Sequence, residues 1–252
     1  MNPADLIPLA VPVTYLIMFT TESHFVGRQF TAVNNWRKIG VGFFILLLVI
    51  SLILPLIIPS AQYERNSPFV ALNNWFAGTL FALLLTTFVT YWFHRAEHHF
   101  NWLWRIFHQI HHSAERVDIA GAFYTHPLEP AAKMTIGAYI AGHVLGLDAV
   151  ASATVSTMSG LLSMFQHWNI TTPYWLGYIV QRPESHCYHH EYNIHSRNYA
   201  DLPIWDMIFG TYLNPRETAQ LRVGFGGDSM PQLINMLSMQ LVDDRSFPHN
   251  NR

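Results

Sequence analysis

The sequence predicts an all-α integral membrane protein. It would be a bundle of about four or five apolar helices, two of them forming a hairpin over 131–165, with a histidine-rich helical cap on the cytoplasmic side. Three observations predict it. Two apolar runs are long enough to cross a bilayer. Charged residues make up 12% of the 252 residues, where soluble domains carry about 25%. Fifteen histidines outnumber the fourteen lysines plus arginines, and many stand at helical spacing in the polar stretches.

A helix needs roughly 20 mostly apolar residues to cross a bilayer. Residues 39–60, IGVGFFILLLVISLILPLIIPS, meet that without a charge, and so do residues 69–93, FVALNNWFAGTLFALLLTTFVTYWF. A shorter run over 6–21 contains Pro8 and Pro12 and is the weakest of the set. Apolar character returns over 131–145, stops at GLD (146–148) and resumes over 149–165. Gly followed by Asp stops one helix and starts the next, and so short a turn sets the two helices antiparallel. From Gln166 the chain is polar, and the tail from Asp243 reads as disordered. The organisation expected is N-terminal membrane helices (1–83), a histidine-bearing region (84–214) and a C-terminal tail (215–252).

Sidedness follows from the basic residues. Arg28, Arg37 and Lys38 follow the first apolar run, whereas the loop between the next two holds only Arg65. The positive-inside rule places the first loop in the cytoplasm. Counting crossings returns the chain to that side at His94 and, after the hairpin, at His167.

The net charge of −2 and the lack of a basic run exclude a nucleic-acid partner. The single cysteine, Cys187, excludes an internal disulfide and a CxxC metal or redox motif. The start, MNPADLIPLAVP, lacks a charged region and a cleavage site, so no removable signal peptide is expected.

The spelling H-x-x-H-H occurs twice, as HQIHH (108–112) and HCYHH (186–190), and HRAEHH begins at His94. Residues three and four apart are neighbours on a helix. His94 with His98, His108 with His111 and His112, and His186 with His189 and His190 are therefore each expected to aim in one direction. His99 falls off the face of its group. Imidazole suits Zn, Cu, Fe and Ni. Eight such ligands exceed one tetrahedral zinc and fit two metals with open positions. Glu-x-x-His pairs and the H-E-x-x-H spelling are both absent, so the site would be built mainly from neutral imidazoles.

The stretches YWFHRAEH (91–98), LWRIFHQIHHS (103–113), HPLE (126–129), FQHWN (165–169), RPESHCYHHE (182–191) and NYADLPIWDMIFGTY (198–212) resemble the membrane-bound fatty acid hydroxylase/sterol desaturase superfamily. The resemblance covers Tyr91 to Tyr212, about half the chain. It implies a non-haem di-iron oxidoreductase that uses O2 to hydroxylate or desaturate a lipid-type substrate such as a fatty acyl chain or a sterol. By resemblance the metal ligands are His94, His98, His108, His111, His112, His186, His189 and His190, with His167 on an additional ligand position. Thr171 stands where some relatives carry a further histidine. The implied cofactors are two Fe ions, replaceable by Zn in an overexpressed sample. The implied partners are membrane lipids and a separate electron donor: a ferredoxin, a cytochrome b5-like protein or a reductase. A small specialised metabolite, such as a guanidinium alkaloid intermediate, is the alternative substrate. A histidine-lined membrane metal transporter is the remote alternative of another class.

His195 is a candidate for one more ligand or for a group behind a ligand. Metal-bound histidines usually give their second N–H to a carboxylate or carbonyl. Asp206, Asp201, Glu97 and Glu191 are the nearest acids in sequence, and Asp206 is the first choice, with a helix cap as its competing role. Trp102, Trp104 and Phe107 are expected to anchor an interfacial helix. Trp205, Phe209 and Tyr212 are expected to pack beneath the cap. His143 is expected to have a packing role, and His24 and His249 to be solvated.

Overall fold

The computed structural model describes residues 6–57, 75–216, 221–225 and 232–242. Arg65, His249 and the tail from Asp243 lie outside these residues. Among the described residues the chain is all-α, with one isolated bridge between Glu191 and Val223.

The weak first run forms a 3-10 turn, Ile7–Leu9, and helix α1, Ala10–Thr21. Pro8 sits in that opening turn, where its missing N–H costs nothing. α1 has 12 residues, about 18 Å at ~1.5 Å per residue, which is short of a bilayer core of about 30 Å. Two described helices are long and apolar enough to cross a membrane: α2, Trp36–Ile57, and α3, Trp75–His99. α2 leaves most of its apolar surface uncovered, with Leu56 84% exposed. α3 does not stop at Phe93. It continues for two turns and carries His94 and His98 on its own end.

Residues 101–113 follow as α4. Its middle, Trp104–His108, widens into a π turn, a feature that often marks functional sites. Trp104 is fully buried here and packs in the core with Trp36, Ile110 and Tyr124. It is therefore not an interfacial anchor, whereas Trp102 is exposed.

The hairpin is present. α5, Leu128–Ala138, runs into a second π stretch, Tyr139–Val144, that holds an exposed His143 beside Tyr139. Gly146 turns the chain at φ +63°, a conformation that favours glycine. The Asp148 carboxylate then accepts the N–H of Ala151 and caps α6, Ala149–His167. Ala141, Leu145 and Leu147 meet Ala151 and Val155 across the turn and Ala82 of α3. Short helices α7 (Pro183–His189), α8 (Ile204–Phe209) and α9 (Leu233–Leu237) complete the chain. Trp205 and Phe209 of α8 pack on Phe88, Tyr91 and Trp92 of α3, as expected for residues under the cap.

The loop after α1 is fastened to the histidine end of the bundle. Trp36 donates to Asp118 at 2.7 Å, and Arg28 and Asn169 exchange two hydrogen bonds. A Cβ on Gly40 would lie 2.2 Å from the Ala120 carbonyl, so only glycine lets α2 approach so closely. Glu22, 7% exposed, accepts the N–H groups of Ile119 and Asn169 at 2.9 and 2.8 Å. Burial, aided by Asp118 and opposed by Arg37, raises its carboxyl from 4.5 to about 7. The folded chain then holds this proton more tightly than the unfolded one. Its contribution is complete below about pH 4.5 and is lost as pH rises through about 7. Thermal unfolding in detergent between about pH 5 and 8 should show falling stability, and Glu22→Gln, which keeps an acceptor oxygen, should flatten the fall. An unchanged slope in that variant would assign the effect to another group.

Candidate metal centre

Helix geometry predicts more than shared direction. At 3.6 residues per turn, i+4 lies about 40° to one side of i and i+3 about 60° to the other. The second and third histidines of H-x-x-H-H therefore diverge, and the structure uses this divergence. His94, His98, His108, His112 and His189 form one buried group, and His111, His167, His186 and His190 form another. Within each group the ligating atoms lie within 4.8 Å of one another. Each H-x-x-H-H thus splits two to one: His108 and His112 join His189, while His186 and His190 join His111. The single direction expected for each triplet is corrected accordingly. α4 and α7 exchange one histidine each, which ties the two groups side by side.

The tautomers follow from the acceptors behind the rings. A backbone carbonyl can only accept, so a ring nitrogen facing one must carry the proton. Nδ1 of His94 donates to Tyr199 O at 2.7 Å, that of His189 to Arg197 O at 2.8 Å, and that of His167 to Ser163 O at 2.7 Å. Nδ1 of His111 donates more weakly to Tyr124 O at 3.3 Å. Nδ1 of His108 faces the Glu129 carboxylate at 3.0 Å. In all five rings Nε2 is left as a lone pair. Yet Nε2 of His94 faces Nε2 of His108 at 2.9 Å, and Nε2 of His111 faces Nε2 of His167 at 3.1 Å. His186 and His190 extend the second row at 3.0 Å per step.

Neutral lone pairs pointed at one another repel unless a cation lies among them. Protonation is disfavoured as the remedy. Burial, with neighbouring imidazoles adding to it, holds His111, His112, His186 and His190 well below the usual histidine range. Burial lowers His189 to about 3. The donor set therefore fits metal ions that prefer imidazole.

Other expected residues fall elsewhere. His195 lies outside both groups, with Nδ1 2.9 Å from Nδ1 of His98. Asp206 touches no histidine. Its carboxylate accepts the N–H groups of Tyr199 and Ala200 at 2.9 and 3.0 Å and the Thr211 hydroxyl at 2.6 Å. It thus braces the loop whose Tyr199 carbonyl orients His94. The acid behind one of the grouped rings is instead Glu129, within HPLE. Its carboxylate also takes the Thr125 hydroxyl and the Lys133 ammonium, and Glu97 stands 3.8 Å from the same His108 nitrogen. Glu191 pairs with Arg197 at 3.4 Å. Thr171 and His99 are exposed, and neither belongs to a group.

Beneath the two groups lies a cavity of about 210 Å³. His94, His108, His111, His167 and His186 form its roof, and its walls come from α1, α2, α3, α5 and α6.

The ornithine lipid hydroxylase OlsE of Rhizobium tropici is 28% identical over 151 residues, 58% of this chain and 44% of its own length. Human alkylglycerol monooxygenase is 31% identical over 58% of this chain and 32% of its own length. The very-long-chain aldehyde decarbonylase GL1-9 of Oryza sativa subsp. indica is 29% identical over 53% of this chain and 54% of its own. The chain thus spans about half or less of the length of these relatives. No solved structure matches it. The fatty acid hydroxylase family matches residues 79–211, more than half of the sequence and both histidine groups, and the chain belongs to that family.

Proposed function

We propose that the chain is a membrane-embedded, O2-dependent di-iron oxidoreductase that hydroxylates an unactivated C–H bond of a lipid. The observation that carries this reading is the pair of adjoining lone-pair clusters opening onto a cavity between apolar helices. His94, His98, His108, His112 and His189 would hold one iron, and His111, His167, His186 and His190 the other. When bound, the irons would supply the activation of O2. The reaction balances as R–H, O2, two electrons and two protons giving R–OH and water, with the electrons coming from a separate redox protein. The chain orients the imidazoles through Glu129 and the backbone carbonyls, excludes water by burial, and presents the substrate from below. The relatives named above as a lipid hydroxylase and a monooxygenase support the same chemistry.

The test is iron-loaded protein with a reductant system and a lipid extract, read by mass spectrometry. A product heavier by one oxygen is expected. A product lighter by two hydrogens would make the enzyme a desaturase. Full metal loading with no oxidised product under turnover would remove the oxidoreductase reading.

The same reading places the histidines on the cytoplasmic side. Arg37 and Lys38 are exposed at the start of α2, beside a loop fastened to Ile119 and Asn169. Arg28 is largely buried and adds less to the charge bias. The 146–148 turn lies at the far end of α6, across the membrane from His167. Ala149→Cys and Ser196→Cys, both at exposed positions, test this in a Cys187→Ser background with an impermeant maleimide. Ala149→Cys should label on intact cells and Ser196→Cys only after lysis. The reverse would invert the topology, and equal labelling on intact cells would mean that the hairpin does not cross.

A further inference from the structure

We propose that the histidine-bearing end of the chain is seated in the lipid surface by a rim of apolar side chains topped with arginines, and that this rim selects anionic phospholipid. The inference rests on the membrane reading of α2 and α3 and does not depend on the metals.

The rim is built from separate segments. α8 leans on α3 within the apolar run of that helix. Trp205 meets Phe88 and donates to the Thr87 hydroxyl at 3.0 Å, and Phe209 packs on Tyr91 and Trp92. The other face of α8 carries Ile204, Met207 and Ile208, all exposed, Ile208 by 59%, at the i, i+3, i+4 spacing of one helix face. Gly210 then turns the chain at φ +73°, and Thr211 returns to the Tyr91 hydroxyl at 3.1 Å. α8 thus dips beside α3 and comes back on the side it left. Irregular backbone lies at such a level only where its polar groups are satisfied within the protein. Asp206 does this for the Tyr199 and Ala200 N–H groups. Nearby, the Tyr212 hydroxyl donates to Gly177 O at 2.8 Å, on a turn that exposes Trp175, Tyr178 and Ile179. Beside α2, Leu233 and Met236 of α9 belong to the cluster that takes in Phe19, Ile39 and Phe43, while Ile234 is 76% exposed.

Uncovered hydrocarbon therefore lies beside α3, where that helix leaves its apolar run, and beside α2, where its apolar run begins. Exposed apolar patches mark protein or membrane contacts. A protein partner covers one patch, whereas a bilayer surrounds the chain. Charge stands next to the same segments. Arg95 lies three residues beyond Trp92, and its guanidinium is 5.3 Å from that indole. Arg216 stands 4.5 Å over Tyr174, and Arg37 stands 3.7 Å over Phe19. Among the described residues none of these three has a carboxylate within ion-pair distance. Aromatic rings with basic groups beside them are the pattern of a membrane–water interface. There the stem of an arginine lies on apolar surface and its head reaches the polar layer. Phosphatidylcholine sets a cation beside its phosphate and phosphatidylglycerol does not, so guanidinium groups without counter-ions favour the second.

Nitroxide labels on Ile208→Cys and Ile234→Cys, in a zinc-loaded Cys187→Ser chain in bilayers, test the rim. Zinc is diamagnetic and does not broaden the labels. Collision is measured with oxygen, which concentrates in hydrocarbon, and with a nickel chelate, which stays in water. Leu56→Cys is the hydrocarbon reference and Ser196→Cys the aqueous one. Both rim labels should favour oxygen, as Leu56→Cys does. A rim label that matches Ser196→Cys, or that is shielded from both reagents as under a protein partner, would overturn the proposal. An aqueous Leu56→Cys would remove the membrane reading and the rim with it. Spin-labelled phosphatidylglycerol and phosphatidylcholine test the selection. The unaltered chain should retain the first about threefold more strongly, and Arg95→Gln with Arg216→Gln should remove most of that difference. Salt at ~1 M, with a screening length of about 3 Å, should do the same without a substitution. Equal retention of both lipids by the unaltered chain would overturn the selection. A preference unchanged in the double variant would remove these two arginines from the rim.

Discussion

His189→Ala is expected to abolish turnover and to lower bound metal from two ions per chain to one. The retained ion should sit with His111, His167, His186 and His190. This is the less obvious outcome, because His189 stands between His186 and His190 in sequence. The helix angle decides it: about 100° separates adjacent residues, so His189 and His190 face different sites. Its Nε2 lies 3.1 Å from that of His112, across the boundary between α7 and α4. His111→Ala should give the mirror result, emptying the second site although His111 belongs to the α4 triplet. Neither loss should unfold the chain, since each ring is one of many groups in a packed core. Metal analysis of the purified variants checks both, with anomalous scattering or X-ray absorption identifying the surviving coordination. Loss of both metals in either variant would mean that the groups form one cooperative cluster. Full loading with activity retained would remove that histidine from the ligand set.

The histidine groups were legible in the sequence because helical spacing leaves a periodic trace. Nine histidines stand out of an apolar background, and the GLD turn announced the hairpin through the residue types a turn needs: Gly146 adopts φ +63° and Asp148 caps α6. The division of the histidines into two groups was also within reach, since 3.6 residues per turn separates i+3 from i+4, but reading each triplet as one face concealed it. The groups behind the rings were not legible. Tyr199, Arg197, Tyr124 and Ser163 act through backbone carbonyls, and any residue type supplies one of those. Proximity in sequence misdirected the choice of acid. Asp206 follows the last histidine group and reads well as a partner, yet it braces the 199–200 backbone. Glu129 lies in the one histidine-bearing motif, HPLE, whose histidine is not in either group: His126 Nε2 faces Leu237 O at 3.2 Å.

That exchange of roles gives the second large effect. Glu129→Ala is expected to cost about 10- to 100-fold in metal affinity or activity, the range for a carboxylate behind a metal-bound imidazole. Glu129 faces Nδ1 of His108 at 3.0 Å and so fixes which nitrogen keeps the proton. Without it, His108 can turn its proton toward Nε2, and Lys133 loses its near counter-ion. The Lys133 ammonium would then be left with Glu97 at 3.9 Å, and Glu97 already lies 3.8 Å from His108. Removal of one partner from a buried pair is more damaging than absence of both. Glu129→Ala with Lys133→Met should therefore lose less metal affinity than Glu129→Ala alone. Asp206→Asn provides the contrast. It keeps one oxygen for the Tyr199 N–H and the Thr211 hydroxyl, sets an amide NH2 against the Ala200 N–H, gives up the charge, and touches no histidine directly. Its effect on metal affinity should stay below threefold, with its main cost in thermal stability. Metal competition with a chelator, run on all variants beside a melting curve, separates the two roles. An Asp206→Asn variant that loses metal as readily as Glu129→Ala would show that the bracing of the Tyr199 carbonyl is as important to the site as the carboxylate behind His108.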